Sequence, residues 1–188
     1  MKNIKTLITA IILGIFCGCS SDEVPPKEMI VNGNLENGAT MPTGWEFSTG
    51  ENNYSVLWTN ETSFSPEKSL KISTEIINEE HFAFWSQLIN TDIPVGEDVT
   101  LEVKVKGTLE GKGASIAIRG DTTSTEEGKA EQFVSTQGNT LISGDFDWTT
   151  YNVVMKGVYS DIQSLTIYLI FLPNTRGEVF FDDISVSH

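Results

Sequence analysis

The sequence predicts an all-β protein made of two packed antiparallel sheets, a β-sandwich of the jelly-roll type. Three observations predict this class. Apolar residues alternate with polar ones in short runs, and Gly, Pro, Asn or Ser separates the runs. No apolar stripe with helical period reaches helical length. The stretch 28–188 has the size of one such sandwich.

The clearest strand is predicted at Val99 to Lys106, where apolar residues at 101, 103 and 105 alternate with charged ones. The polar stretch Gly120 to Gly138 is predicted to be a loop at the rim of a sheet. The other strands are predicted at Met29 to Val31, Trp45 to Ser48, Tyr54 to Thr59, Leu70 to Thr74, Phe82 to Ile89, Ala114 to Arg119, Thr149 to Met155, Ser164 to Leu172 and Val179 to Val186.

Residues 1–18 are predicted to be a secretory signal. Two lysines precede the apolar run Leu7 to Phe16, which is too short to span a bilayer as a helix. Phe16-Cys17-Gly18-Cys19 follows and resembles a bacterial lipobox, in which a small residue precedes the lipidated cysteine. The resemblance implies that Cys19 carries the lipid. The alternative is a disulfide between Cys17 and Cys19, which would be strained at this spacing.

Residues 19–27 are predicted to be a tether. Ser20-Ser21-Asp22-Glu23 is similar to the acidic surface-export tag of Bacteroidetes lipoproteins, and Pro25-Pro26 stiffens the chain after it. These features imply a lipoprotein held at the bacterial outer membrane and exposed at the cell surface. The lipid anchor is expected to be its only membrane contact, and the folded part is expected to begin near Glu28.

Charge and composition argue against several functions. The chain has 12 Lys and Arg against 26 Asp and Glu, a formal net charge of −14, so electrostatics do not attract nucleic acid to it. His81 and His188 are the two histidines, and neither belongs to a motif for a Ser-His-Asp triad or a zinc site. The sequence therefore predicts no catalytic residue.

Three separated segments carry a resemblance to a known family. The first is VNGNLE at 31–36 with GW at 44–45, the second is SPEKSLKI at 65–72 with WSQ at 85–87 and PVG at 94–96, and the third is Trp148 with GEVFFDDISV at 177–186. In this order they are similar to the carbohydrate-binding modules of families four, nine and twenty-two, which have a galactose-binding-like jelly roll. The resemblance implies a domain that binds a polysaccharide or oligosaccharide without catalysis.

The same resemblance implies a structural calcium ion that ties the first strand to the last. Carried over residue by residue, its ligands are the carboxylates of Glu36, Glu67 and Asp182, with main-chain carbonyls at Asn34 and near Lys68. Ca²⁺ binds about six to eight oxygen ligands, so carboxylates from distant segments suit it. The alternative is that these acids are ordinary solvated loop charges.

The phases of the strands, together with the resemblance, predict a sugar-binding face made of Trp85, Gln87, Arg119 and Tyr168. Sugar rings stack on aromatic rings, and planar polar groups bond to sugar hydroxyls. Trp58 is expected to extend this face, together with Tyr54, which shares its phase.

The phase of the strand Phe82 to Ile89 stays open, because aromatic residues lie on both of its sides. In the alternative phase, Trp85 is a core residue and Phe82 and Phe84 point outward.

The function that follows is a non-catalytic surface lipoprotein that binds glycan and holds it near uptake or degrading proteins. One alternative is a structural or adhesive subunit that binds a protein partner through the same sheet. Another is a small jelly-roll glycan hydrolase or lyase, for which the sequence shows no convincing catalytic base.

Overall fold

The computed structural model describes residues 28–50, 53–122 and 132–188. The predicted signal, the predicted lipidation site Cys19 and the predicted tether lie outside these residues. No described segment is a helix long and apolar enough to cross a membrane. The described chain forms nine strands: β1 Glu46–Thr49, β2 Ser55–Thr59, β3 Ser69–Thr74, β4 Ala83–Ile89, β5 Val99–Thr122, β6 Gln132–Ser135, β7 Ile142–Met155, β8 Ile162–Phe171 and β9 Thr175–Ser187.

The strands form one antiparallel sheet that folds over into two layers. Its hydrogen-bonded order is β1-β4-β8-β5-β9-β3-β2, and β6 and β7 also pair with β5. The fold-over lies within β5, because residues 99–111 pair with β7 and β9, whereas residues 114–122 pair mainly with β8 and β6. We call β1, β4, β8, β6 and the second part of β5 the groove layer. The remaining strands, with the first part of β5, form the opposite layer.

Two glycines allow β5 to pass from one layer to the other. Gly111 and Gly113 have φ values of 102° and 82°, which residues other than glycine rarely adopt. A Cβ atom at Gly111 would lie 2.0 Å from the carbonyl oxygen of Asn174, and one at Gly113 would lie 2.0 Å from that of Ile142. The GKG sequence at 111–113 therefore bends the strand without ending it.

The core lies between the two layers. Leu101 and Val103 of the opposite layer and Ile116 and Ile118 of the groove layer are fully buried in one continuous apolar cluster. Burial of such side chains is the main stabilising contribution in a sandwich of this kind. The predicted all-β sandwich is thus confirmed.

Three differences between prediction and structure change which segments form strands. The strands predicted at 99–106 and 114–119 are parts of the single strand β5, because the glycine bend looks like a turn in the sequence. Gln132–Ser135 forms β6 within the stretch predicted to be a loop. Residues 29–31 form no strand, and the chain there joins β9 through a bridge between Glu28 and Ser187.

Candidate functional site

The outer face of the groove layer carries aromatic side chains around small central residues. The strand register places Tyr168 of β8 between Ser86 of β4 and Ala117 of β5. Arg119 of β5 lies opposite Phe133 of β6. Ser86 and Ala117 rise little above the sheet, so the larger side chains around them border an open space.

This space is a cavity of about 330 Å³. We call it the aromatic groove, and its lining residues are Phe82, Phe84, Arg119, Phe133, Tyr168 and Ile170. The rings of Phe84 and Tyr168 meet edge to face with centroids 5.3 Å apart, and those of Phe82 and Phe84 are 5.8 Å apart. Phe133 is 56% exposed at the opposite wall. Aromatic surface is therefore open to solvent on both sides of the groove.

The guanidinium of Arg119 lies over one of these rings. Its guanidinium carbon lies 5.3 Å from the ring centroid of Tyr168. Its Nε atom lies 2.8 Å from Oδ1 of Asp121, and its Nη2 donates to Oδ2 of the same carboxylate at 3.1 Å. The hydroxyl of Thr166 also donates to Oδ2 of Asp121, at 3.4 Å. The ion pair orients a planar hydrogen-bond donor at the edge of the groove.

The prediction that Trp85 and Gln87 face outward is wrong. Trp85 is 0% exposed, and its Nε1 donates across the two layers to the carbonyl oxygen of Lys71 at 3.4 Å. Gln87 is 5% exposed, and its amide bonds to the backbone of Val31. The alternative phase of β4 is the observed one, since Phe82 and Phe84 line the groove. Burial of the large indole ring and its apolar neighbours decides the phase.

Trp58 does not extend the groove, because it lies on β2 in the opposite layer. Its Nε1 donates to the carbonyl oxygen of Leu35 at 2.9 Å, and the ammonium of Lys68 lies 4.9 Å from its ring centroid. Tyr54 is buried as well and packs edge to face against Phe171. Both rings therefore have structural contacts away from the groove.

Arg119 and Tyr168 do line the groove, and their role as sugar ligands stays a prediction. Phe133 was missed, because its strand is short and follows a polar stretch that is typical of a loop. The adjacent aromatic and β-branched residues Phe133 and Val134 were a weak signal for a strand at this place.

The segments predicted to hold calcium converge on Ser65. Its Oγ lies 2.6 Å from Oδ1 of Asp182, 2.8 Å from the carbonyl oxygen of Asn34 and 3.4 Å from Oε1 of Glu36. We call these four residues the Ser65 cluster. A hydroxyl has one proton to donate, so it cannot serve three acceptors at once. The cluster therefore brings three oxygen acceptors within 3.4 Å of one hydroxyl.

Asp182 is the buried member of the cluster. Its side chain is fully buried, and its Oδ2 accepts the N–H groups of Phe64 and Ser65 at 2.6 and 2.8 Å. Oδ1 accepts the N–H of Asp183 at 2.6 Å in addition to the Ser65 hydroxyl. Burial raises the pKa of Asp182, and the hydrogen bonds from Ser65, Asp183 and Phe64 oppose that rise. The carboxylate fastens the loop that carries Phe64 and Ser65 to β9.

Glu67 and Lys68 take part differently from the prediction. Their backbone N–H groups donate to Oε1 of Glu36 at 3.0 and 3.1 Å, so they present donors to the cluster. Among the described residues no group of three His, Cys, Asp or Glu side chains is placed to hold a metal. A cation would rest on the carboxylates of Glu36 and Asp182, the carbonyl of Asn34 and the hydroxyl of Ser65. Such hard oxygen atoms fit Ca²⁺.

No protein-family model matches the sequence, and no curated protein sequence matches it. Solved structures do match the fold. The cyclase Fisc from Fischerella sp. TAU superposes with a TM-score of 0.63 at 15% identity, covering 86% of this chain and 97% of that one. TmCBM61 in complex with β-1,4-galactotriose superposes with a TM-score of 0.54 at 16% identity, covering 85% and 97%.

The enzymatically active domain of tailspike protein 4 from bacteriophage CBA120 matches with a TM-score of 0.61 at 16% identity. The match covers 85% of this chain, which spans 21% of the tailspike chain. Carbohydrate-binding modules of families 11 and 16 match as well. The fold of this chain is thus similar to that of carbohydrate-binding modules and of enzymes, and the fold alone does not assign a function.

Proposed function

We propose that this protein is a non-catalytic glycan-binding module and that the aromatic groove is its binding site. The observation that carries the proposal is the set of solvent-open rings of Phe82, Phe84, Phe133 and Tyr168 around one cavity, with the planar donor Arg119 at its edge. Rings of this kind stack on the C–H faces of sugars, and the guanidinium donates to sugar hydroxyls. A pocket with apolar walls and few oriented polar groups is typical of ligand sites.

The comparisons support a saccharide as the ligand class. TmCBM61 binds a galactose trisaccharide, and this chain has a similar fold over most of its length. The net charge of −14 disfavours a polyanionic partner such as nucleic acid. Within the groove the charge of Arg119 is balanced by that of Asp121, which suits a ligand that carries hydroxyl groups rather than charges.

We also propose that a lipid on Cys19 anchors the protein to the outer membrane and that the folded domain is exposed at the cell surface. The lipobox-like sequence and the acidic residues after it support this part. Such an anchor would hold the groove near other surface proteins that take up or degrade glycans. Radiolabelled palmitate should be incorporated into the wild-type chain in bacterial cells and not into the Cys19→Ala variant. Label that persists in the variant would contradict this part.

A calcium ion at the Ser65 cluster is also part of the proposal. Its support is the convergence of oxygen atoms of Asn34, Glu36 and Asp182 on the Ser65 hydroxyl, which can donate its proton to only one of them. The ion would supply positive charge between two carboxylates that approach the same hydroxyl. It would fasten the segment around Asn34, the loop around Ser65 and β9 to one another. Its role would be structural, away from the aromatic groove.

The test is isothermal titration calorimetry of the purified protein with a panel of plant, host and microbial polysaccharides. We expect saturable binding to one glycan class, weakened about tenfold or more by Tyr168→Ala or Phe133→Ala, since each removes a stacking ring. Phe64→Ala is the matched control, because Phe64 is exposed to a similar extent as Phe133 but contacts Trp148 of β7. The described residues that line the groove include no tryptophan, so calorimetry is preferable to tryptophan fluorescence.

Other outcomes distinguish the alternatives. Failure to bind every glycan, with pull-down of a surface protein that depends on Tyr168, would favour an adhesive subunit. Slow release of reducing ends from a polysaccharide by the purified protein would favour a hydrolase. Affinity that is unchanged in both the Tyr168→Ala and the Phe133→Ala variant would place the site elsewhere.

A further inference from the structure

A second cavity, of about 460 Å³, lies at the rim of the groove layer. We call it the rim pocket. It is bordered by Lys112 at the bend of β5, by Gln137, Asn139 and Leu141 of the loop between β6 and β7, and by Leu172 after β8. The rim pocket differs from the aromatic groove in its lining. Among the described residues that border it there is no aromatic ring, and side-chain amide groups are present.

The rim pocket and the aromatic groove are connected. Between them lies a third cavity of about 320 Å³. It shares Phe82 and Ile170 with the aromatic groove and Gln137 and Leu172 with the rim pocket. Residues 168, 170 and 172 follow one another on this path, and at about 3.3 Å per residue they span about 13 Å. The path is therefore longer than a single sugar ring.

The loop that borders the rim pocket is fixed by a buried threonine. Thr136 is almost fully buried, and its Oγ1 lies 3.0 Å from Oγ of Ser115 and accepts the N–H of Ile116 at 3.1 Å. The carbonyl oxygen of Thr136 accepts the N–H groups of Asn139 and Thr140 at 3.0 and 2.8 Å. The backbone of the loop is thus tied to β5 before any ligand binds, which lowers the entropy lost on binding.

The polar side chains of this loop remain available. Gln137 and Asn139 are exposed, and within the described ranges neither side-chain amide makes a hydrogen bond. Each amide has donors and an acceptor, as a sugar hydroxyl does. Lys112 is also exposed at this pocket. A fixed loop with free amides at the end of an aromatic groove suits the hydroxyl groups of a second part of the same ligand.

We infer that the rim pocket is a polar extension subsite, so that the protein binds an extended stretch of a hydroxyl-rich linear glycan rather than a single sugar. The inference rests on the proposed function. The aromatic groove stacks one part of the chain, and Gln137 and Asn139 bond to the hydroxyls of units further along. Affinity therefore rises with chain length until the path from Tyr168 to the rim pocket is filled.

Calorimetry with oligosaccharides of different length tests this. The probes are β-1,4-galactan, cellulose and xylan oligosaccharides, each as disaccharide and hexasaccharide. We expect the hexasaccharide of the bound type to bind at least about tenfold more tightly than the disaccharide. The double variant Gln137→Ala, Asn139→Ala should remove most of that difference, since it deletes about two hydrogen bonds. Tyr168→Ala should weaken both lengths.

Asn152→Ala is the matched control, because Asn152 is an exposed amide on β7 of the opposite layer. Equal affinity for both lengths, or a double variant that keeps the full preference for the hexasaccharide, would overturn the extension subsite. Loss of binding in Tyr168→Ala would in that case leave the glycan-binding function standing. Absence of binding by every probe, with the polysaccharide panel also negative, would overturn both.

Discussion

The side-chain amide of Gln87 is paired with both backbone polar groups of Val31. Its Oε1 accepts the Val31 N–H at 2.7 Å, and its Nε2 donates to the Val31 carbonyl oxygen at 2.9 Å. These two hydrogen bonds resemble those of one residue pair in an antiparallel β-ladder, and they attach the segment before β1 to β4. Gln87 was predicted to contact sugar, and the structure gives it this internal task instead.

Replacing Gln87 by Met should lower stability without changing glycan affinity. Methionine keeps the length of the side chain and removes both hydrogen bonds, which leaves two partly buried backbone groups unpaired at a cost of about 1–3 kcal/mol. Urea unfolding measures the loss. Gln163→Met is the control, because Gln163 is exposed on β8. A weaker glycan affinity at unchanged stability would return Gln87 to the binding site.

The strand containing Gln87 shows what the sequence could and could not predict. Its β structure followed from alternation, but its phase did not, because Phe82, Phe84 and Trp85 place aromatic rings on both sides. Only burial in the assembled sandwich selects the side that holds the indole. The outward direction of Arg119 and Tyr168 was predicted correctly, because the opposite sides of their strands are plainly apolar.

The sequence indicated some members of the Ser65 cluster and not others. Carboxylates at Glu36 and Asp182 are recognisable in the sequence because they belong to motifs of the family that it resembles. The hydroxyl of Ser65 carries no such signal, since serine is common in loops. The direction of the backbone groups at 67 and 68 depends on the turn itself, so the sequence could not show that they present N–H groups.

Substituting Trp85 should destabilise the fold strongly. Trp85→Ala leaves a cavity between the two layers and should cost about 3–5 kcal/mol, and Trp85→Phe should cost less because most of the ring volume remains. Urea unfolding of both variants tests this order. The glycan affinity of the folded Trp85→Phe protein should equal that of the wild type. A loss of affinity with little change in stability would contradict the core position.

The ion pair between Arg119 and Asp121 should matter for binding more than for stability. Asp121→Asn frees the guanidinium from its oriented position over Tyr168 and should weaken glycan binding several-fold. The free energy of unfolding should change by less than about 1 kcal/mol, as is usual for partly exposed pairs. Calorimetry and urea unfolding on the same samples separate the two effects. A large loss of stability with unchanged affinity would reverse this assignment.

Removing calcium should lower the melting temperature of the wild type, if the cation binds at the Ser65 cluster as proposed. Ser65→Ala should be less stable than the wild type even in the presence of a chelator, because the hydroxyl donates to Asp182. Added Ca²⁺ should raise the melting temperature of the wild type and change that of Ser65→Ala much less. Scanning calorimetry with and without chelator measures this. Identical melting curves of the wild type under both conditions would exclude a stabilising calcium ion.

Asp182 should contribute more to stability at acidic pH than at neutral pH, whereas a salt-bridged acid contributes more at neutral pH. Burial raises the pKa of Asp182, so the folded state holds its proton at higher pH than the unfolded state does. Its contribution to stability is then full below the unfolded pKa of about 3.9 and is lost as the pH rises through the raised folded pKa.

The comparison of the wild type with Asp182→Asn isolates this contribution, because asparagine does not titrate. In chelator, the difference in free energy of unfolding, wild type minus variant, should grow in favour of the wild type as the pH falls from about 7 to about 4. Should the variant not fold, the carbon NMR shift of the Asp182 carboxyl reports the same pKa directly. If the difference shrinks on acidification, the four donors around the carboxylate outweigh its burial and the pKa is lowered instead.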